Sequence, residues 1–196
     1  MRTLIVLFLA VVATVPALAQ AKLGPGSQVV KQANDKINVL LTQKAPVDKV
    51  TASVRDIIDI DELGKHAMVD QWSKLSPAQQ KEFLDTLRAL IEENYVKGLK
   101  QNLTYKVNYT GESTEANGDL VVTTEVVTPK KNRTLTIKVD YVLRKIDGKL
   151  KAWDVKTDGV GLVENYRTQF NKIIEKDGFN GLIGKMKKKQ EELKNP

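Results

Sequence analysis

From Val30 the apolar positions fall at Ala33, Ile37 and Leu40/Leu41, one face of a helix that Pro46 ends. Val47, Val50, Val54 and Ile57/Ile58 repeat the spacing, and Leu63, Ala67 and Met68 mark a short third helix before Trp72. Ser76-Pro77-Ala78-Gln79 is a helix start, with Ser76 as cap, Pro77 at the first helical position and Gln79 closing a capping box. Phe83, Leu84, Leu87, Leu90, Ile91, Tyr95 and Leu99 then form one wide apolar stripe, which predicts a helix to about residue 100.

Beyond it the period switches to two. Tyr105, Val107 and Tyr109 alternate with polar residues. Asn117-Gly118 predicts a hairpin turn before Leu120, Val122, Thr124 and Val126. Leu135, Ile137, Val139, Tyr141 and Leu143 share one face and Thr136, Lys138, Asp140 and Arg144 the other, so this strand is half-buried and antiparallel. Asp147-Gly148 turns the chain into a strand over Leu150–Thr157. Helical spacing returns at Leu162, Tyr166, Phe170, Ile173 and Ile174, and Gly178 and Gly181 interrupt it before a basic final helix. The order predicts an α+β fold, a curved antiparallel sheet of about four strands covered by helices. The mature part reads as a single domain over 28–196, with helices in 28–100, the sheet in 103–157 and helices in 160–194.

The N-terminus has another pattern. Arg2, the apolar run Leu4–Val15 and Ala17-Leu18-Ala19 are laid out as a secretory signal peptide over 1–19, followed by a Gly/Pro linker over 20–27. Export to the periplasm is the expectation. The chain has no Cys, which excludes disulfides, zinc–thiolate sites and thiol catalysis, and its net charge of +7 suits anionic headgroups or acidic partners. A nucleic-acid role does not fit an exported chain.

Little in the sequence is catalytic. His66 is the only histidine, so it lacks the companions that a zinc site needs, and no metal or cofactor is expected. No G-x-S-x-G, H-E-x-x-H or phosphate-binding loop occurs. Asp158-Gly159-Val160-Gly161 reads as a turn. Asp154 and Tyr141 could supply an acid/base pair, but a capping or ion-pairing Asp154 is the simpler reading. Lys185, Lys187, Lys188 and Lys189 read as a solvated face on a docked helix, or as a docking patch.

Trp153-Asp154-Val155 followed by Gly159-Val160-Gly161-Leu162-Val163-Glu164-Asn165-Tyr166-Arg167-Thr168-Gln169-Phe170 resembles the signature of the MlaC family, also called toluene-tolerance proteins. Ile58 to Trp72, Ser76 to Gln79, Phe83 to Tyr95 and Val139–Leu143 are similar to the same family, so the resemblance spans roughly residues 28 to 190. Two positions depart from it: Val69 stands where the family usually has Gly, and Gly161 where it has Ser. The resemblance implies an NTF2-like, cone-shaped fold with a lipid cavity between sheet and helices, and no enzyme activity. It implies a periplasmic phospholipid shuttle of the maintenance-of-lipid-asymmetry (Mla) ABC transport system. The implied partners are an inner-membrane MCE-domain ABC transporter and an outer-membrane lipoprotein–porin complex. Arg167 and Asn165 are expected to be structural or near the cavity mouth.

Moving two acyl chains through water exposes about 30 methylenes at ~0.8 kcal/mol each, or ~24 kcal/mol, so a carrier has to cover them. The candidate tail contacts are Trp72, Leu87, Ile91, Tyr95, Val107, Val122, Ile137, Val139, Tyr141, Val160, Leu162 and Tyr166. The competing readings are a carrier of another lipid such as a hopanoid, an isomerase-like enzyme on a similar fold, and a structural adaptor.

Overall fold

Ser76 and Gln79 close the capping box reciprocally: the Gln79 amide donates to Ser76 Oγ at 3.3 Å and the Ser76 amide to Gln79 Oε1 at 2.9 Å. They open the longest uninterrupted helix of the computed structural model, which describes residues 23–101, 105–130 and 133–194, with all their side chains except those of 95–101 and 130. The segment read as a signal peptide lies outside the described residues. The helices are α1 (Pro25–Thr42), α2 (Val47–Ile57), α3 (Ile60–Ala67), α4 (Pro77–Gln101) and α5 (Leu162–Lys194). The strands are β1 (Lys106–Thr114), β2 (Leu120–Lys130), β3 (Arg133–Ile146), β4 (Lys149–Thr157) and β5 (Val160–Gly161). The helical geometry of α5 breaks at Gly178, one of the two interrupting glycines.

Two boundaries differ from the sequence reading. The expected linker over 20–27 is shorter, because α1 starts at Pro25; a proline fits the first turn, where its missing N–H has no helical partner anyway. The sheet has a fifth strand, too short to show a periodicity. Asp158 and Gly159, at φ 48° and 86°, make a tight turn that folds Val160–Gly161 back onto Lys156–Thr157. The Asp147-Gly148 turn is built the same way, at φ 48° and 79°.

The five strands form one antiparallel meander in the order β1-β2-β3-β4-β5. Three apolar clusters hold the helices to it. In the first, Leu63, Met68, Phe83, Leu87, Phe170, Leu182 and Ile183 bind α3, α4 and α5 together. In the second, Val30 of α1 and Ile57 of α2 pack on Val122, Leu143 and Ala152 of the sheet. In the third, Ile37, Val50 and Val54 zip α1 to α2. Ile58 touches all three, and the Asp59 amide donates to the Ala152 carbonyl at 2.8 Å.

Candidate functional site

The register defines which strand residues share a face. Val107 pairs with Val126, Val126 with Ile137, and Tyr109 with Thr124, which pairs with Val139. Val122 pairs with Tyr141, and Thr128 with Leu135. Directly opposed residues of an antiparallel ladder lie on one side of the sheet, so all of these share one face. At its Leu120 end that face is closed by α1 and α2, where Val122 is 0 % exposed. Toward the β2–β3 hairpin, Val107, Val126, Leu135, Ile137 and Val139 stay half-buried and outside the three packed clusters of described residues. The result is an apolar strip with a packed floor and a more open end.

Polar groups on the strip have partners within the fold. Thr124 Oγ1 donates to the Val139 carbonyl at 2.7 Å. Asn34 of α1 donates from Nδ2 to the Tyr109 hydroxyl at 3.1 Å. Burial raises the phenols of Tyr105 and Tyr109, and pushes that of Tyr141 up to about 12, so all three are neutral hydroxyls at ordinary pH. Such a surface suits methylene chains, with about 25 cal/mol gained per Å² of apolar area covered.

The expected tail contacts fall into several places. Val107, Ile137 and Val139 lie on the strip, and Val122 and Tyr141 on its packed floor. Trp72, Leu87, Ile91, Leu162 and Tyr166 belong instead to the helical cluster. There Trp72 meets Phe83 edge-on at 6.3 Å and Tyr166 stacks on Phe170 at 5.1 Å, so side chains fill that space in this conformation. Val160 stands apart, 60 % exposed on β5 at the sheet's far edge from Val107. Tyr95 sits in α4 with its side chain outside the described residues. Tyr105, Tyr109, Val126 and Leu135 complete the strip; their alternation was visible, but nothing in it told a half-buried position from one packed under a helix.

The acid/base pair does not form. Tyr141 opposes Val155, whereas Asp154 opposes Val142, so the two side chains leave opposite faces of the sheet. Asp154 caps a helix instead: Oδ1 accepts the Val163 amide at 3.0 Å in the first turn of α5 and the Val155 amide at 2.8 Å. A Cβ at Gly161 would lie 2.8 Å from Asp154 Oδ2, close enough that the carboxylate would have to shift. The signature Arg167 has a related task. Its Nε and Nη2 donate to the His66 carbonyl, at 3.3 and 2.9 Å, in the last turn of α3. Asn165 accepts from Gln169 one turn on, at 2.8 Å. The His66 ring lies against Trp153, its centre 4.3 Å away and tilted 34°, and its Nε2 is 3.2 Å from Glu62 Oε1.

Elsewhere a polar groove of about 400 Å³ opens beside Leu23, Gly24 and Glu112, at the start of α1. The Glu112 carboxylate fills the helix terminus, accepting Gly26 N at 3.2 Å and Ser27 N and Oγ at 2.7 Å each. Burial opposes its ionisation, and these hydrogen bonds outweigh that and hold it below the usual carboxylate range. Among the described residues no three His, Asp or Glu side chains converge as metal ligands, and no helix is long and apolar enough to cross a membrane.

The fold has a solved counterpart. A phospholipid-binding protein from Ralstonia solanacearum, solved in complex with a phospholipid, superposes with a TM-score of 0.74 over 87 % of this chain and 99 % of its own, at 24 % identity. No curated protein sequence matches. The family model described as MlaC protein matches residues 27–188, most of the described chain, and on that match the chain belongs to the MlaC family.

Proposed function

We propose that this protein is a periplasmic phospholipid carrier that takes lipid between the outer and inner membranes and exchanges it with an MCE-type ABC transporter and an outer-membrane lipoprotein–porin complex. The observation that carries the reading is the strip of Val107, Val126, Leu135, Ile137 and Val139, apolar and incompletely covered beneath α1 and α2. Membership of the MlaC family and the phospholipid held by the Ralstonia solanacearum protein of the same fold supply the ligand class. The signal-peptide layout of residues 1–19 supplies the compartment. Binding, not catalysis, fits a face whose polar groups are spent on internal hydrogen bonds.

Native mass spectrometry of the protein purified from periplasm tests this. Discrete adducts at phospholipid masses are the expected result. A bare polypeptide mass, with no phospholipid in an organic extract, overturns it. Adducts at hopanoid masses would replace the ligand and keep the carrier.

A further inference from the structure

The helical hairpin α1–α2 ends at the open end of the strip. Ser27 sits at Glu112 and Asn34 at Tyr109, so α1 runs antiparallel to β1. The eight residues from Asn34 to Thr42 add about 12 Å of helix, and the three from Tyr109 back to Lys106 about 10 Å of strand. The α1–α2 tip is therefore level with Lys106, at the end where Lys130 pairs with Arg133 and the β2–β3 hairpin closes.

That end carries an unusual surface. Val39 is 53 % and Val47 41 % exposed, two of the four large apolar side chains that stand out from the described residues. Lys44, in a left-handed turn at φ 52°, lies between them in sequence, and Lys49 follows in the first turn of α2. Lys106 and Arg133 are exposed at the same end of the sheet. None of these four cations has a carboxylate within ion-pair distance among the described residues, and Asp48 is the one acid on the tip. The other basic region differs. In α5, Lys185 pairs with Asp177 at 2.6 Å, Lys187 with Glu82 at 2.8 Å and Lys189 with Glu192 at 3.1 Å. Its lysines are largely compensated, and its apolar face is docked through Leu182, Ile183 and Met186.

We propose that the α1–α2 tip and the adjoining end of the sheet dock on an anionic lipid surface, with Val39 and Val47 entering the headgroup layer and Lys44, Lys49, Lys106 and Arg133 meeting lipid phosphates. Exposed aliphatic side chains ringed by unpaired cations match the interfacial layer of a bilayer, where apolar stems enter and charges stay at the headgroups. Docked in this way, the open end of the strip faces the membrane, so a bound tail has a short path to the acyl layer. The purpose of the surface rests on the lipid-carrier reading; its chemistry does not.

Co-sedimentation with phosphatidylglycerol-containing vesicles and with pure phosphatidylcholine vesicles tests it, with native mass spectrometry of the same samples. The wild type should bind the anionic vesicles, release them as salt rises, and ignore the zwitterionic ones. Lysines near such a surface count about fivefold each, so Lys44→Glu/Lys49→Glu should lose at least about 25-fold in binding and keep its lipid. Lys172→Glu/Lys188→Glu on α5 changes the net charge equally and should stay near wild type. Equal losses in both variants, no loss in the first, or no wild-type binding to anionic vesicles overturns the proposal; the last would leave an acidic protein as the partner. Vesicle binding by a wild type that carries no lipid would keep the docking surface and overturn the carrier reading alone.

Discussion

Arg144 and Asp119 meet as a two-pronged ion pair, with Nε donating to Oδ1 and Nη2 to Oδ2, each at 2.8 Å. The pair ties β3 to the β1–β2 turn. Asn117 Nδ2 and the Trp153 indole also donate to Asp119, at 2.9 and 3.2 Å, and the Arg144 guanidinium lies over the Trp153 ring, 4.9 Å from its centre. His66 meets the same ring from α3, tilted by 34°, so one side chain of the sheet bears on the helical cluster through an aromatic pair.

Asp119→Asn should therefore cost about 2–3 kcal/mol, because Asp119 is 1 % exposed and Arg144 loses its nearer counter-charge, keeping only Glu62 at 3.6 Å. The Arg144 hydrogen bonds hold the Asp119 carboxyl below its ordinary value. Its contribution is present above the unfolded value of about 3.9 and disappears as pH falls through the folded one. Urea unfolding should show the variant weaker at neutral pH and the gap closing in acid. A gap of the same size below pH ~3 would mean that the charge is not the cause.

The Asp154 cap makes a second case. Asp154→Ala removes the acceptor of the Val163 amide and should cost about 1–2 kcal/mol, whereas Asp154→Asn, which keeps an accepting oxygen, should recover most of that loss. Gly161→Ala should destabilise too, through the 2.8 Å approach to Asp154 Oδ2. The two effects should couple: in the Asp154→Ala background the carboxylate is gone, and Gly161→Ala should become nearly neutral. Strict additivity of the unfolding energies would refute the contact.

Tyr141 allows a prediction in alkali. Its phenol is raised to about 12 chiefly by burial, so the folded protein keeps a proton that the unfolded chain releases near 10. Stability from this group is intact below pH ~10 and is lost as pH climbs toward ~12. Tyr141→Phe should flatten that decline while leaving lipid binding in place. Chemical unfolding across the alkaline range checks it, and parallel curves for the two proteins would sink it.

Local chemistry was legible wherever a short stretch decides the geometry. The Ser76–Gln79 box, the Asp147-Gly148 turn, the alternation from Leu135 to Val139 and the break at Gly178 stand as the sequence reads; from Asp140 to Leu143 both faces of the strand are covered, with Asp140 and Val142 buried on the side read as outward. The capping reading of Asp154 stands as well, with the Val163 amide as its partner. Less could be read where pairs meet across the fold. Helical spacing makes Leu87 and Ile91 apolar whether they face a lipid or Phe170, and only the packing of α3, α4 and α5 decides. Asp119 lies 25 residues from Arg144, and nothing near either residue announces the other.

The sheet face offers the sharpest comparison between cavity and core. Val122 and Ile137 lie on one side of the same two-strand ladder, with Val122 opposite Tyr141 and Ile137 opposite Val126. Val122 is 0 % exposed among Val30, Leu143 and Ala152, whereas Ile137 is half-buried outside the packed clusters. A tryptophan at Val122 has to displace filled volume, so Val122→Trp should cost about 1–3 kcal/mol or more in the delipidated protein. At Ile137 the added rings enter space that an acyl chain takes in the carrier reading. Ile137→Trp should thus leave the delipidated protein near wild-type stability and abolish co-purified lipid. Lipid has to be removed before melting, since a ligand bound only to the folded state raises its apparent stability. Thermal unfolding of the delipidated variants, set beside the lipid content of the untreated ones, separates the two positions. If Ile137→Trp destabilises the delipidated protein as much as Val122→Trp and its lipid content is unchanged, the strip is ordinary core and the tails lie elsewhere.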